Sequence, residues 1–210
     1  MSSEETAAAE TGADGTYREL TDPRAMRALA HPVRLALIEL LGHVGTLTAT
    51  QASDLLGESP ANCAFHLRTL AKYGYVEEAG GGRGRERPWR RIHAGLRIPD
   101  QHGSPQAAQA AGALRDFLAE TLLERARSSL AQQSSWPAEW QAALEQGDYV
   151  SYMTTDEARQ LTADLHEVLT RHSDRVDHPE RRPAGAMPIE ILAIAYPLLQ
   201  LGQIATGERS

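Results

Sequence analysis

Apolar residues recur at helical spacing in two short stretches between residues 47 and 72. Gly57 separates these stretches and favours a left-handed end to the first helix. Ser59 is a good N-cap and Pro60 suits the first helical position, so a second helix is predicted to begin there. The positions predicted to face inward are Leu47, Ala52, Leu55 and Leu56, followed by Cys63, Leu67, Leu70 and Ala71. The pattern predicts two helices joined by a tight turn.

The residues that follow change to a strand-like pattern with a basic turn. Gly74 is predicted to end the second helix, and residues 75–78 read as a strand. The glycines within residues 80–84 predict a flexible turn, and residues 87–92 a returning strand. Helix, turn, polar helix and basic hairpin together predict a winged helix-turn-helix, in which the second helix enters the major groove of DNA.

Candidate DNA-contacting residues lie on the outward side of the second helix and in the hairpin, here called the wing. Arginine recognises guanine and asparagine recognises adenine through paired hydrogen bonds, so these residue types favour base reading. Alternating arginines on one face of a strand suit phosphate or minor-groove contact. An alternative is a winged helix that binds a protein and never contacts DNA. The predicted set is Ser59, Pro60, Asn62, Phe65, His66, Arg68, Thr69 and Lys72, with Arg83, Arg85 and Arg87 from the wing.

Three segments in this region resemble the ArsR-type family of bacterial winged-helix regulators. The segments are residues 31–35 (HPVRL), residues 59–70 (SPANCAFHLRTL) and residues 74–76 (GYV). The resemblance covers roughly residues 16–92 and implies a homodimeric transcriptional regulator. Phe65 departs from the polar residue that is usual in related sequences, and we expect it to contact a thymine methyl group.

The distribution of charge supports a basic module inside an acidic chain of net charge −7. Residues 1–16 carry four acids and no base, contain almost no large apolar residue, and are predicted to be disordered. Residues 17–93 carry 11 Arg/Lys against 8 Asp/Glu, whereas residues 94–210 carry 10 against 16. Distant acids are screened beyond about 10 Å at ordinary salt, so local charge decides phosphate contact.

Residues 104–210 are predicted to form a C-terminal dimerisation region of helices and small strands. Ser104 and Pro105 begin a long helix to about residue 130, and a capping box from Thr154 to Glu157 begins another to about residue 172. Alternation predicts strands at residues 149–153 and 188–197. The expected fold is therefore mainly α with small β (α+β). The predicted dimer interface is the helix near residues 22–29 with the apolar stripe of the long helix. Five aromatic residues of this region have two interpretations, a pocket for a small-molecule effector or core and dimer contacts alone: Trp136, Trp140, Tyr149, Tyr152 and Tyr196.

Other chemistry finds little support in the sequence. Many ArsR-type regulators sense metals through cysteine pairs, but Cys63 is the only cysteine here and is expected to be a buried apolar residue. A cluster at His172, Asp174, Asp177 and His178 is interpreted as a solvated loop. No phosphate loop or nucleophile motif is present, and the 117 residues after the wing are too few for a methyltransferase cofactor domain. We expect no metal, no cofactor, no catalysis and no membrane segment, with a single cysteine fitting the cytoplasm.

Overall fold

The computed structural model describes residues 17–81, 87–93 and 95–199. The chain folds into helices joined by short strands, and the predicted class, mainly α with small β, is confirmed. The helices are α1 (Pro23–Leu29), α2 (Pro32–Val44), α3 (Ala49–Leu56), α4 (Pro60–Lys72), α5 (Pro105–Ala131), α6 (Ala138–Ala143), α7 (Thr155–Thr170) and α8 (Asp174–Asp177). The strands are β1 (Tyr17–Glu19), β2 (Thr46–Leu47), β3 (Val76–Glu78), β4 (Trp89–Arg91) and β5 (Gly95–Arg97).

Side-chain caps define where the helices of the N-terminal half begin. Thr48 and Gln51 form a reciprocal capping box at α3, and the Ser59 hydroxyl accepts the Asn62 N–H at α4 (3.1 Å). Each cap satisfies a backbone donor that the helix itself leaves unpaired. Gly57 has φ of +68° between α3 and α4, a conformation that favours glycine. The predicted helix-turn-helix is therefore present at the predicted residues.

The wing strands β3 and β4 belong to a small antiparallel sheet in the order β2–β4–β3. Trp89 pairs with Leu47 on one side and with Glu78 on the other, and its side chain is buried. A parallel pair, β1 with β5, was not predicted from the sequence. Its strands are three residues long and far apart in the chain, so they carry no local signal.

The hydrophobic core lies where α1, α2 and α4 meet the sheet and the first half of α5. On α1, Met26 is fully buried, and on α5 Ala111 and Leu114 are equally inaccessible. The small side chains at Ala107 and Ala111 let α5 approach α1 closely. The predicted interface helix α1 is therefore covered within its own chain, and only part of the α5 stripe remains accessible.

Three sequence predictions about packing are wrong. Residues 149–153 and 188–197 form no strand, and Tyr152 is 83% exposed. Alternating apolar residues become a strand only when a neighbouring strand accepts their backbone hydrogen bonds, and the described residues offer none there. Leu55 was predicted to face inward but is 61% exposed, because α3 ends at Leu56, and the buried face of α3 is formed by Ala52 and Ser53.

The segment after α5 lies against the rest of the chain through few polar contacts. Arg125 on α5 forms ion pairs with Glu39 of α2 (2.8 Å) and with Glu190 (2.7 Å). Arg182 donates to the carbonyl of His43 at the end of α2 (3.3 Å). Helix α7 forms as predicted, with its capping box, but its apolar residues stay partly exposed. No helix within the described ranges combines the length and apolar character needed to cross a bilayer.

Candidate nucleic-acid interface

Helix α4 presents an exposed face that begins at its N-terminus. Pro60, Phe65, Arg68 and Lys72 are exposed on this face, whereas Cys63 is fully buried on the opposite side. Burial raises the pKa of the Cys63 thiol, with a further contribution from Glu58, so this thiol stays protonated and apolar. Unpaired N–H groups at a helix N-terminus attract phosphate, and the two cations extend that attraction along the helix.

His66 was predicted to reach DNA and does not lie on this face. It is 5% exposed and its ring packs on the ring of His31, with centroids 4.5 Å apart. Burial lowers the pKa of His66, and the nearby His31 and Arg34 lower it further. His66 falls three residues after Cys63 and four before Leu70, so it lies within a buried stripe about 100° wide. The spacing itself could have revealed this burial.

The remaining polar residues of α4 use part of their hydrogen-bonding capacity locally. Asn62 donates from Nδ2 to Glu58 Oε2 (2.8 Å), and the Thr69 hydroxyl donates to the carbonyl of Phe65 (3.0 Å). This bond uses one N–H of the Asn62 amide, whereas pairing with an adenine needs the other N–H and the amide oxygen. Phe65 is 56% exposed and stands edge-on to His66. Its ring is accessible to a thymine methyl group or to an apolar surface of another protein.

Wing arginines are paired with acidic residues of the same hairpin. Arg87 donates to Glu78 Oε1 (2.7 Å), and Arg90 contacts Glu77 (2.6 Å). All four side chains are substantially exposed, so water and salt screen both pairs. Glu77 and Glu78 were not predicted as partners of the wing arginines, although opposite charges on adjacent strands are a recognisable signal. The predicted Arg83 and Arg85 lie outside the described residues.

The five aromatic residues of the predicted effector pocket are not buried together in the part of the chain that the structure describes. Tyr149, Tyr152 and Tyr196 are each strongly exposed, whereas Trp136 and Trp140 are half-buried. Among the described residues no group of three or more His, Cys, Asp or Glu side chains is arranged to hold a metal ion. The segment after α7, predicted as a loop, contains the short helix α8. There His178 contacts Glu180 (3.1 Å) and Asp174 pairs with Arg181 (3.4 Å).

Comparison with known proteins identifies the class of the N-terminal region. Residues 29–78 match a family described as a helix-turn-helix domain. These residues span α2, the α3–α4 pair and β3, which supports a DNA-binding regulator. No curated protein matches this chain. A solved structure, "Structure of the transcriptional regulator homologue protein from Pyrococcus horikoshii OT3", is 20% identical, with a TM-score of 0.30. The match covers 46% of this chain and 85% of that chain.

Proposed function

We propose that this protein is a sequence-specific transcriptional regulator of the ArsR type that binds double-stranded DNA as a homodimer. One observation carries the proposal: α4 exposes Arg68 and Lys72 beside a basic wing, within the residues that match a helix-turn-helix domain. The ArsR assignment rests on the three resembling segments. The domains are residues 17–93 for DNA binding and residues 104–210 for dimerisation, and the protein acts in the cytoplasm as a repressor.

Selection of bound duplexes from a random pool tests the proposal directly. A two-fold symmetric dimer places its α4 helices about one turn of DNA (~34 Å) apart, so an inverted repeat is expected. Arg68→Ala should weaken binding to the selected duplex and lower the salt slope by about 0.9 if Arg68 contacts one phosphate. Arg159→Ala on α7 removes the same charge far from α4 and should leave both unchanged. Recovery of no enriched duplex, with no salt-dependent binding, would overturn the proposal.

Dimerisation is supported by apolar side chains that one chain leaves uncovered. Leu161, Leu165, Val168 and Leu169 lie at helical spacing along one side of α7 and are all more than a third exposed. Light scattering should give twice the 22.9 kDa mass of one chain. Leu165→Glu should shift the mass toward the monomer, and Glu167→Gln on the same helix should not. A wild-type monomer at micromolar concentration would contradict the dimer.

Repression is tested by transcription in vitro from a promoter that carries the selected repeat. The protein should lower transcript yield in proportion to occupancy of the repeat, because a bound dimer excludes polymerase. An increase in transcript would assign the protein as an activator instead.

The protein-binding alternative is favoured by one feature of the same surface. Exposed Phe65 and Leu55 add apolar area, and the charges of Arg87 and Arg90 are partly neutralised by their glutamate partners. Replacing Arg83, Arg85 and Arg87 together by alanine distinguishes the DNA-binding proposal from the protein-binding alternative. A DNA-binding protein loses affinity for all duplexes, whereas a protein-binding module shows no change in nucleic-acid binding.

A further inference from the structure

An apolar segment near the C-terminus is left uncovered by the rest of its chain. Residues 187–197 form no helix or strand, and their backbone groups join no backbone–backbone hydrogen bond with other described residues. Ile191 is 62% exposed, and the other large apolar residues between the two prolines of this segment are exposed as well. Contiguous exposed apolar side chains often mark an interaction surface.

Helix α7 carries a second uncovered apolar surface, here called the α7 face. Its four residues lie within about 100° of the helix circumference, and each is more than a third exposed. They are Leu161, Leu165, Val168 and Leu169. Helix α7 makes few contacts with any other element of the described chain. One chain therefore presents two separate apolar surfaces, neither of which it covers.

Polar contacts hold the apolar segment beside α5 and α2 of its own chain. Glu190, within the segment, pairs with Arg125 of α5 (2.7 Å). Arg182, which precedes the segment, donates to the carbonyl of His43 at the end of α2 (3.3 Å) and to the carbonyl of Val176 (2.8 Å). The segment is therefore anchored at α5, and the α7 face of the same chain stays without a cover.

Charge disfavours packing of one α7 on the α7 of a second copy. The helix carries four acidic residues against one arginine, so two such helices would bring like charges together. Residues 188–197 carry only one charged side chain, that of Glu190, and its carboxylate is already paired with Arg125. This segment can therefore lie on an acidic helix without placing an unpaired like charge against it.

The exposed area is large enough for a stable interface between two copies. The α7 face and the segment together expose on the order of 700 Å² of apolar surface per chain, given their exposed fractions and the usual areas of aliphatic and aromatic side chains. A two-fold dimer uses both surfaces of both chains, which makes on the order of 1,400 Å² available. Stable interfaces bury about 1,200–2,000 Å² in total, so a second copy is sufficient to cover both surfaces.

We propose that two copies of this chain exchange the segment, so that residues 188–197 of each copy lie on the α7 face of the other. The exchange is reciprocal, because a two-fold interface repeats every contact. This inference rests on the proposed homodimer and names the two surfaces that form it. The Glu190–Arg125 pair stays within each chain and fixes where the exchanged segment leaves its own α5.

Disulfide cross-linking of the full chain tests the exchange, since Cys63 is the only native cysteine and is fully buried. The double variant Leu165→Cys/Ile191→Cys should form a covalent dimer under mild oxidation. The matched variant Gln160→Cys/Ile191→Cys should not, because Gln160 lies about 140° around α7 from Leu165. Each single variant, and the wild type, should stay monomeric on a non-reducing gel.

Three outcomes of the cross-linking experiment would overturn the exchange. A covalent dimer formed by Leu165→Cys alone would mean that α7 packs on α7. A disulfide within one chain of Leu165→Cys/Ile191→Cys would mean that the segment covers the α7 face of its own chain. A native dimer of this double variant that forms no disulfide would mean that the two copies associate through other surfaces.

Light scattering gives an independent measure of the same interface. Ile191→Glu should shift the mass from dimer toward monomer, whereas Leu55→Glu, equally exposed but outside both surfaces, should not. An unchanged dimer mass for Ile191→Glu would overturn the exchange and keep the homodimer, and a wild-type monomer would overturn both. Cross-linking of Leu165→Cys/Ile191→Cys by a protein that enriches no duplex would keep the exchange and overturn the proposed DNA binding.

Discussion

Glu78→Gln should strengthen DNA binding, because Glu78 holds a wing arginine that faces solvent. The carboxylate accepts a hydrogen bond from Arg87 at 2.7 Å, and both side chains are substantially exposed. Glutamine has nearly the same shape but no charge. The substitution therefore releases the Arg87 guanidinium toward phosphate and removes a negative charge that repels the DNA backbone.

The size of the effect follows from counterion release. Each phosphate neutralised by an arginine adds about 0.9 to the slope of log affinity against log salt, which corresponds to about eightfold in affinity at about 0.1 M salt. If Arg87 stays paired with Glu78 in the wild-type complex with DNA, Glu78→Gln should raise the DNA affinity by up to about eightfold. It should also steepen the slope of log affinity against log salt by about 0.9. If Arg87 already leaves Glu78 to reach DNA, the gain is smaller and the slope is unchanged, because an exposed pair contributes little.

Fluorescence anisotropy on the selected duplex, over a series of salt concentrations, measures both quantities. Glu124→Gln on α5 is the matched control, since Glu124 forms a similar exposed pair with Arg127 (2.9 Å). It changes the net charge of the chain equally but lies outside the wing. Weaker binding by Glu78→Gln, or a gain equal to that of Glu124→Gln, would refute a role for the wing pair in DNA affinity.

Three further predictions concern the fold. Leu114→Ala should lower the free energy of unfolding by about 2–5 kcal/mol in urea titrations, whereas Leu123→Ala on the same helix, 49% exposed, should cost well under half as much. Gly57→Ala should cost about 1–2 kcal/mol, because a Cβ is disfavoured at its φ of +68° even though no atom lies within 4 Å; an unchanged urea midpoint would refute this. The pKa of His66 lies below its ordinary value of 6.5, so the unfolded chain binds its proton first and stability should fall as pH drops below about 6.5. Between pH 7.5 and 5, His66→Gln should lose less free energy of unfolding than the wild type, whereas exposed His172→Gln should lose as much as the wild type. Equal losses in the wild type and both variants would contradict this role of His66.

The helix-turn-helix domain could be predicted from the sequence because its determinants are local. Ser59, Pro60 and Gly57 each act on backbone groups within a few residues, and all three perform the predicted role. The inward stripe of α4 was also correct for Cys63 and Leu67. Local caps and helical periodicity are sufficient where an element makes most of its defining contacts with adjacent residues in sequence.

Long-range pairings account for what the sequence did not reveal. The β1–β5 pair joins residues near 18 to residues near 96. His66 was assigned to DNA because its type suits a reading helix, but His31 occupies the space that its ring faces. Side-chain chemistry indicates what a residue can do, whereas the neighbouring elements decide what it contacts.

In the C-terminal region, apolar residues at helical spacing are exposed, although such a pattern usually indicates a buried helix face. Leu161 and Leu165 have the spacing of a packed helix, yet in one chain they remain more than a third exposed. Contiguous exposed apolar side chains often mark an interaction surface, which supports the proposed dimer. The C-terminal segment is instead joined to the DNA-binding domain by charge, because Arg125 of α5 pairs with both Glu39 of α2 and Glu190.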